Sequence, residues 1–227
     1  MAKTMTPSKT MTDGQIAKAV ANYRALLEKH AGEFDSNVVQ IVLGQSQLAD
    51  EQFSVFRRLV EARNWPIWKT IKLGTGIKDA NSFRQAIESA EMGIGDWAND
   101  ILGKPEFTLI AKETEVDLVK VTVGDLGLER DARHDKILDR AKDFGLELCP
   151  PEVGPQLRLQ YKYQPKGNFS LEWINIGMKQ IRVSEDGFSA FVVESSGDRL
   201  LLTGNYQDSS GAFYFESPWV FVRPRKC

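Results

Sequence analysis

The strongest constraint on the fold is a change in hydrophobic spacing that follows Cys149-Pro150-Pro151. Before this point apolar residues recur at helical intervals, as at Ile16, Val20, Tyr23 and Leu27. After it, short apolar stretches are separated by clusters of Ser, Asp and Gly, a pattern typical of closely spaced antiparallel strands. The sequence therefore predicts the α+β class, with an N-terminal helical unit, a mixed α/β segment and a C-terminal antiparallel β meander.

The domain organisation follows from the same spacing. Thr12 and Asp13 can cap a first helix, and Trp65-Pro66 ends the helical pattern because a residue before proline avoids the helical conformation. We predict a flexible tail over residues 1–12, a helical unit over 13–64 and an α+β domain over 65–227. Strands are predicted early in that domain, over Ile67–Leu73 and Phe107–Ala111.

The composition is typical of a folded protein and limits the classes of partner that the protein is expected to bind. Apolar residues make up 42% of the chain, charged residues 26%, and the net charge is −2. This balance argues against a protein that binds nucleic acid or membranes over its whole surface. The chain has two cysteines and no apolar run at its N-terminus, so we expect no signal peptide, no disulfide framework and a cytoplasmic location.

Three alternating carboxylates, Glu113, Glu115 and Asp117, are the only candidate metal ligands. On a strand they would share one face and could bind a hard cation such as Mg²⁺. The alternative is a solvated strand face neutralised by nearby lysines. His30 and His134 lack a partner histidine at helical spacing, so both are expected to be solvated or helix-capping rather than zinc ligands.

Cys149 is the one internal thiol and a candidate nucleophile. A reactive cysteine needs a neighbouring base or cation, and the one candidate base is His134, which could approach from the preceding helix. The apolar residues before Cys149 and the two prolines after it favour a buried structural thiol.

A segment that mixes cations with aromatic residues, Glu152–Arg182, is the most suggestive for binding. Such a mixture can contact phosphates and bases, or form a protein-binding patch, or merely line the core and edge of a sheet. The predicted contact residues are Arg158, Gln160, Tyr161, Lys162, Trp173 and Lys179.

Several strings resemble a family of uncharacterised bacterial proteins over about residues 65–225. They are Trp-Lys-Thr-Ile-Lys-Leu-Gly from Trp68, Asp-Trp-Ala-Asn-Asp-Ile-Leu-Gly-Lys-Pro from Asp96, the run from Gly145 to Tyr161, and Val-Phe-Val-Arg from Val220. The resemblance implies no activity and no site residues, because none is assigned to that family. It leaves the first 64 residues outside, which agrees with a boundary near Asn64.

The functional prediction is a non-enzymatic binding or accessory protein of the bacterial cytoplasm. We predict no cofactor and no membrane contact, and a protein partner is favoured over nucleic acid. The alternative is a small hydrolase or metal-dependent nuclease that uses Glu113, Glu115 and Asp117.

Overall fold

The computed structural model describes residues 11–128, 132–164, 172–184, 187–196, 199–207 and 211–225. The first ten residues, most of the predicted tail, lie outside this range. The chain divides into two compact units, Met1–Ser54 and Val55–Cys227. The division falls inside the third helix, ten residues before the boundary that the sequence predicted.

The described residues form three α-helices, and one 3-10 turn over Ala31–Glu33, within the predicted helical unit, followed by mixed helices and strands. The seven α-helices are α1 (Asp13–His30), α2 (Ser36–Leu43), α3 (Leu48–Asn64), α4 (Ala80–Ser89), α5 (Asp96–Leu102), α6 (His134–Asp143) and α7 (Val153–Gln160). The ten strands are β1 (Lys69–Leu73), β2 (Gly93–Ile94), β3 (Thr114–Thr122), β4 (Ala132–Arg133), β5 (Glu172–Ile176), β6 (Ile181–Arg182), β7 (Phe188–Ser196), β8 (Arg199–Gln207), β9 (Ala212–Phe213) and β10 (Pro218–Arg223). The α+β class is thus confirmed.

Local sequence explains where the helices begin. The Thr12 hydroxyl accepts the backbone N–H of Gln15, whose side chain in turn accepts the N–H of Thr12, so α1 starts with a capping box. Asp79 caps α4 through its carboxylate, which accepts the backbone N–H of Ser82 at 2.7 Å. None of the helices in the described ranges is long and apolar enough to cross a lipid bilayer.

The main sheet belongs to the second unit and is mixed. Its strands follow the order β1-β3-β10-β5-β7-β8-β2, with β6 paired to β7, and β4 and β9 form a separate pair. The C-terminal strands β7 and β8 form the expected antiparallel hairpin. The last strand, β10, does not continue the meander: it inserts between β3 and β5 and runs parallel to β5.

Helices cover both faces of this sheet. On one face α4, α5 and α7 contribute Phe83, Ile101 and Leu157 to a core with strand residues such as Val220. On the other face α6 packs Ile137 and its neighbours against the strand residues Trp219 and Phe221. Adjacent residues of one strand, Val220 and Phe221, therefore belong to opposite cores, as alternation in a strand requires.

The predicted strand over residues 107–111 does not form. Its backbone is used elsewhere: the N–H of Phe107 donates to the carbonyl of Lys104 in a turn, and the N–H of Ile110 donates to the Glu152 carboxylate at 2.7 Å. An amide held by a side chain is not available to a β ladder, so this apolar stretch remains a loop.

Candidate functional site

The structure places Arg158, the first predicted contact residue, in the interior of the second unit. Its side chain is fully buried, and burial lowers the pKa of Arg158 to about 10. The guanidinium donates to the side-chain oxygen of Gln164 at 2.7 Å, to the carbonyl of Glu194 at 3.1 Å and to the carbonyl of Tyr161. These acceptors are neutral, and one of them, the carbonyl of Tyr161, lies at the C-terminus of the helix that carries Arg158, where the helix dipole favours a cation. Arg158 joins the end of α7 to β7 and is not available to a partner in this structure.

Gln160 also serves the fold, as part of a polar stripe along α7. Its amide accepts the N–H of Lys72 at 2.9 Å and donates to the carbonyl of Lys72 at 2.7 Å. One helical turn earlier, the side chain of Gln156 donates to the Thr75 hydroxyl. One turn before that, the Glu152 carboxylate accepts the N–H of Gly74 at 2.8 Å. Strand β1 lies at the edge of the sheet. The stripe therefore provides hydrogen-bond partners for backbone groups that would otherwise be exposed at that edge.

Tyr161 lies in a small cluster of lysines and aromatic rings on the face covered by α7. The rings of Tyr161 and Trp68 meet edge to face, with centroids 5.1 Å apart. The Lys69 ammonium lies 4.7 Å from the Tyr161 ring and 5.6 Å from the Trp68 ring, and the Lys120 ammonium lies 5.7 Å from the Trp68 ring. Lys162 is exposed next to this cluster in sequence. Cation–π contacts of this kind stabilise the end of α7 on the sheet and leave two positive charges close together.

Trp173 lies on the other face of the sheet. Its strand neighbours Ile174 and Ile176 belong to the core beneath α7, and Tyr161 packs against that core. Alternation along β5 therefore directs Trp173 to the opposite side, where 40% of it is exposed. The structure does not bring Trp173 and Tyr161 together into one surface. Lys179 is exposed in the turn between β5 and β6, and residues 165–171 of this segment lie outside the described residues.

The predicted acidic cluster is close to basic side chains. Arg225 contacts Asp117 at 2.8 Å and Glu115 at 3.4 Å, while Lys72 contacts Glu113 at 2.9 Å. The hydrogen bond from Arg225, followed by one from the Thr70 hydroxyl, holds the pKa of Asp117 below its ordinary value despite partial burial. Among the residues that the structure describes, no three His, Cys, Asp or Glu side chains are grouped to hold a metal ion. The three carboxylates thus have their charge compensated within the protein.

Cys149 and His134 are both interior groups. The Cys149 thiol is buried, its sulfur lies 3.3 Å from the carbonyl of Val220, and burial raises its pKa strongly, which makes it unreactive. His134 was expected at the surface, and that expectation is wrong: it is 5% exposed, with Nε2 2.9 Å from the carbonyl of Met178. Its ring packs edge to face against Trp219 at 5.1 Å, and burial lowers its pKa, so it is held neutral.

A cavity of about 270 Å³ is lined by Asp96, Trp97, Asp100 and Ser184. The Asp100 carboxylate accepts from the Ser184 hydroxyl at 2.9 Å and lies 3.0 Å from the Lys104 ammonium, which donates to the same hydroxyl at 2.9 Å. The backbone N–H of Ser184 is the main reason that the pKa of Asp100 is lowered. A lysine that pairs with a carboxylate donates protons rather than removing them, so it is no base for a serine nucleophile. The group fastens α5 to the end of β6.

The surface that sequence reasoning missed lies in the first unit. None of the residues of α1 and α2 is buried. The exposed large apolar side chains between residues 16 and 43 are Ile16, Val20, Tyr23, Leu26, Leu27, Phe34, Val38, Val39, Ile41, Val42 and Leu43, each 36–68% exposed. We call this set the helical apolar surface. In the second unit, side chains of the same types, such as Phe83 and Ile101, are fully buried.

A sequence signal for this surface exists in α2. On a helical projection its five apolar residues, within Ser-Asn-Val-Val-Gln-Ile-Val-Leu, span an arc of about 200°. A surface helix that packs against a single core needs an apolar stripe of only about 100°. So wide an arc requires neighbours on more than one side.

No protein-family model, curated protein or solved structure matches this chain.

Proposed function

We propose that the protein is a non-enzymatic binding or accessory protein, and that the helical apolar surface is its contact with another macromolecule. The observation that carries this proposal is the exposure of every large apolar side chain of α1 and α2. Contiguous apolar patches larger than a few hundred Å² are rare on monomeric proteins and mark sites of interaction. The scarcity of cysteine favours a reducing compartment such as the cytoplasm as the setting of this contact.

The contact differs from the one predicted in the segment Glu152–Arg182. Arg158 and Gln160 hydrogen-bond within the fold, and Trp173 faces away from Tyr161, so the described part of the segment, residues 152–164 and 172–182, does not present these side chains as one surface. Nucleic-acid binders that make several phosphate contacts need several available cations in one surface. A protein partner accordingly suits this molecule better than nucleic acid.

The alternative of a hydrolase or metal-dependent nuclease is less well supported. It requires Glu113, Glu115 and Asp117 to converge on a cation, whereas each of them contacts Lys72 or Arg225. The thiol of Cys149 is buried against the carbonyl of Val220. The hydroxyl of Ser184 donates to the Asp100 carboxylate, but the backbone N–H of Ser184 and the Lys104 ammonium lower the pKa of Asp100 and make it a weak proton acceptor.

The proposal is tested by asking whether the apolar surface is available or already covered by another molecule. The full chain is purified, its mass in solution is measured by light scattering, and its binding of an apolar dye such as anilinonaphthalene sulfonate is measured by fluorescence. We expect either self-association or dye binding, and we expect Val20→Glu to weaken whichever is found. A monomer that binds no dye would contradict the proposed function, because its apolar side chains would then be covered within one chain.

A further inference from the structure

Two lysines lie on the face of the sheet that α7 covers. Lys69 alternates with Ile71 along β1, and Lys120 alternates with Leu118 along β3. Ile71 and Leu118 belong to the core beneath α7, so both lysines lie on that face as well. Lys69 is paired with Leu118 in the antiparallel ladder. Lys69 and Lys120 are therefore diagonal neighbours, roughly 7–8 Å apart in a regular sheet.

Two aromatic rings hold the ammonium groups of these lysines close together. The Lys69 ammonium is 4.7 Å from the centroid of the Tyr161 ring and 5.6 Å from that of the Trp68 ring. The Lys120 ammonium is 5.7 Å from the same Trp68 ring. Lys120 is exposed, and Lys69 and both rings are half-buried, so the group reaches solvent. Like charges gathered around one ring repel each other, and an anion between them would offset that repulsion.

The acidic residues of β3 lie on the opposite face of the sheet. Asp117 pairs there with Arg225 at 2.8 Å. Within the described ranges, Lys69 contacts the two rings and no carboxylate. Lys162, which is exposed directly after Tyr161, adds another cation to this part of the chain. The surface around Lys69 is therefore positive, although the whole chain has a net charge of −2.

Balancing a helix dipole does not account for Lys69. Cations near the C-terminus of a helix commonly offset the partial negative charge of its last carbonyls. At the end of α7 this is the role of Arg158, whose guanidinium donates to the carbonyl of Tyr161. The charge of Lys69 is thus available to a bound anion.

We propose that Lys69 and Lys120 form a binding site for a phosphate group, which lies between their two ammonium groups. Trp68 and Tyr161 hold the lysines in position, so that less conformational freedom is lost when the anion binds. The site belongs to the second unit and does not depend on the helical apolar surface.

Charge selects phosphate as the ligand. The second pKa of a phosphate monoester is about 6, so at neutral pH the group carries close to two negative charges, which match two ammonium groups. Lysine binds phosphate as a point charge and needs no bidentate geometry. A carboxylate would neutralise only one of the two lysines. One pair of lysines suffices for one phosphate group, but not for the several phosphate contacts of a nucleic-acid backbone.

The site is tested by titrating the full chain with inorganic phosphate at pH 7.5 and constant ionic strength. The signal is the NMR resonance of the Trp68 indole N–H, which is identified by its absence in Trp68→Phe. We expect a saturable shift with a Kd of about 1–10 mM, since partly exposed cations attract an anion only moderately in water. Lys69→Met and Lys120→Met remove one charge each and keep an unbranched side chain, and each should raise the Kd at least about fivefold.

The matched control is Lys136→Met. Lys136 is exposed on α6, which packs on the other face of the sheet, so its replacement removes the same charge at a distance. We expect the Kd of this variant to stay within about twofold of the wild type, because salt screens distant surface charges. Thermal unfolding of each variant shows that the fold is retained.

A second titration identifies the source of the phosphate group. Methyl phosphate, a simple monoester, is compared with inorganic phosphate. A similar Kd would show that the site accepts a phosphate group carried by a larger molecule. Binding at least about tenfold weaker would assign the site to the free ion.

Three results would overturn the proposal. The first is the lack of a saturable shift up to about 50 mM phosphate. The second is equal weakening by Lys69→Met and Lys136→Met, which would reflect net charge alone. The third concerns competing ions: sulfate, a dianion, should displace phosphate about tenfold better than nitrate, a monoanion, and equal competition would refute a site for a double charge.

Discussion

Replacing Glu152 by glutamine probes a buried carboxylate of the second unit that accepts three hydrogen bonds. Glu152 is 1% exposed, and its carboxylate accepts the N–H of Gly74 at 2.8 Å, the N–H of Ile110 at 2.7 Å and the side-chain amide of Gln156 at 3.0 Å. The two backbone donors bind different oxygens. Glutamine has one oxygen and one NH₂ group, so either rotamer leaves one of these N–H groups facing another donor.

The magnitude follows from that loss. Hydrogen bonds to a charged group contribute about 1.5–3 kcal/mol each, and a buried donor without an acceptor costs about 1–3 kcal/mol. We therefore expect Glu152→Gln to lower the free energy of unfolding by about 2–3 kcal/mol. For a unit of this size, that loss corresponds to a fall in Tm of about 5–10 °C.

The assay is urea or thermal unfolding, with Glu88→Gln as the matched control. Glu88 is exposed on α4, and its replacement removes the same charge without a buried partner, so its effect should stay within about 0.5 kcal/mol. Hydrogen exchange adds a local readout: the amides of Gly74 and Ile110 should exchange faster in Glu152→Gln. If both variants unfold alike and exchange at those amides is unchanged, Glu152 does not join the two loops and the reasoning fails.

Two further predictions concern side chains whose degree of burial sets their effect on stability. Burial holds the pKa of His134 below its ordinary value of 6.5. At mildly acidic pH the histidine is therefore protonated more fully in the unfolded chain than in the folded chain. Stability should therefore fall as the pH drops below about 6.5, and denaturation at pH 7.5 and 5.5 should show this loss in the wild type and in His30→Gln but not in His134→Gln. Trp173→Ala should cost about 1–2 kcal/mol because Trp173 is 40% exposed, whereas Trp219→Ala should cost about 3–5 kcal/mol because Trp219 is fully buried. Equal losses in urea unfolding would show that the two tryptophans have been assigned to the wrong environments.

Local sequence was sufficient for the helices and for most strands. Helical spacing and the capping residues Thr12 and Asp79 are signals within a few residues, and the structure has helices where they indicate. The turn-separated apolar stretches likewise predicted the hairpin of β7 and β8. These features depend on backbone propensity and on contacts between near neighbours, which a single sequence displays directly.

The structure places Tyr161 and Trp173 of the candidate binding segment on opposite faces of the sheet, for a reason that lies outside local sequence. Whether Trp173 and Tyr161 share a face depends on the pairing of β5 with β10, a strand that follows it by more than 40 residues. Likewise, Arg158 is interior because Glu194, on a distant strand, supplies a carbonyl for it. Residue type alone predicted a surface cation, since arginine is rarely fully buried.

The sequence by itself determined the helical first part, the β-rich last part and the amphipathic spacing of α1. Only the tertiary structure decided that β10 lies between β3 and β5, that the acidic residues around Asp117 face Arg225, and that the apolar residues of α1 and α2 remain exposed. The physical reason is that periodicity shows which side of an element is apolar, whereas burial depends on which other element arrives there. For the sheet that element is another part of the same chain, and for α1 and α2 we propose that it belongs to another macromolecule.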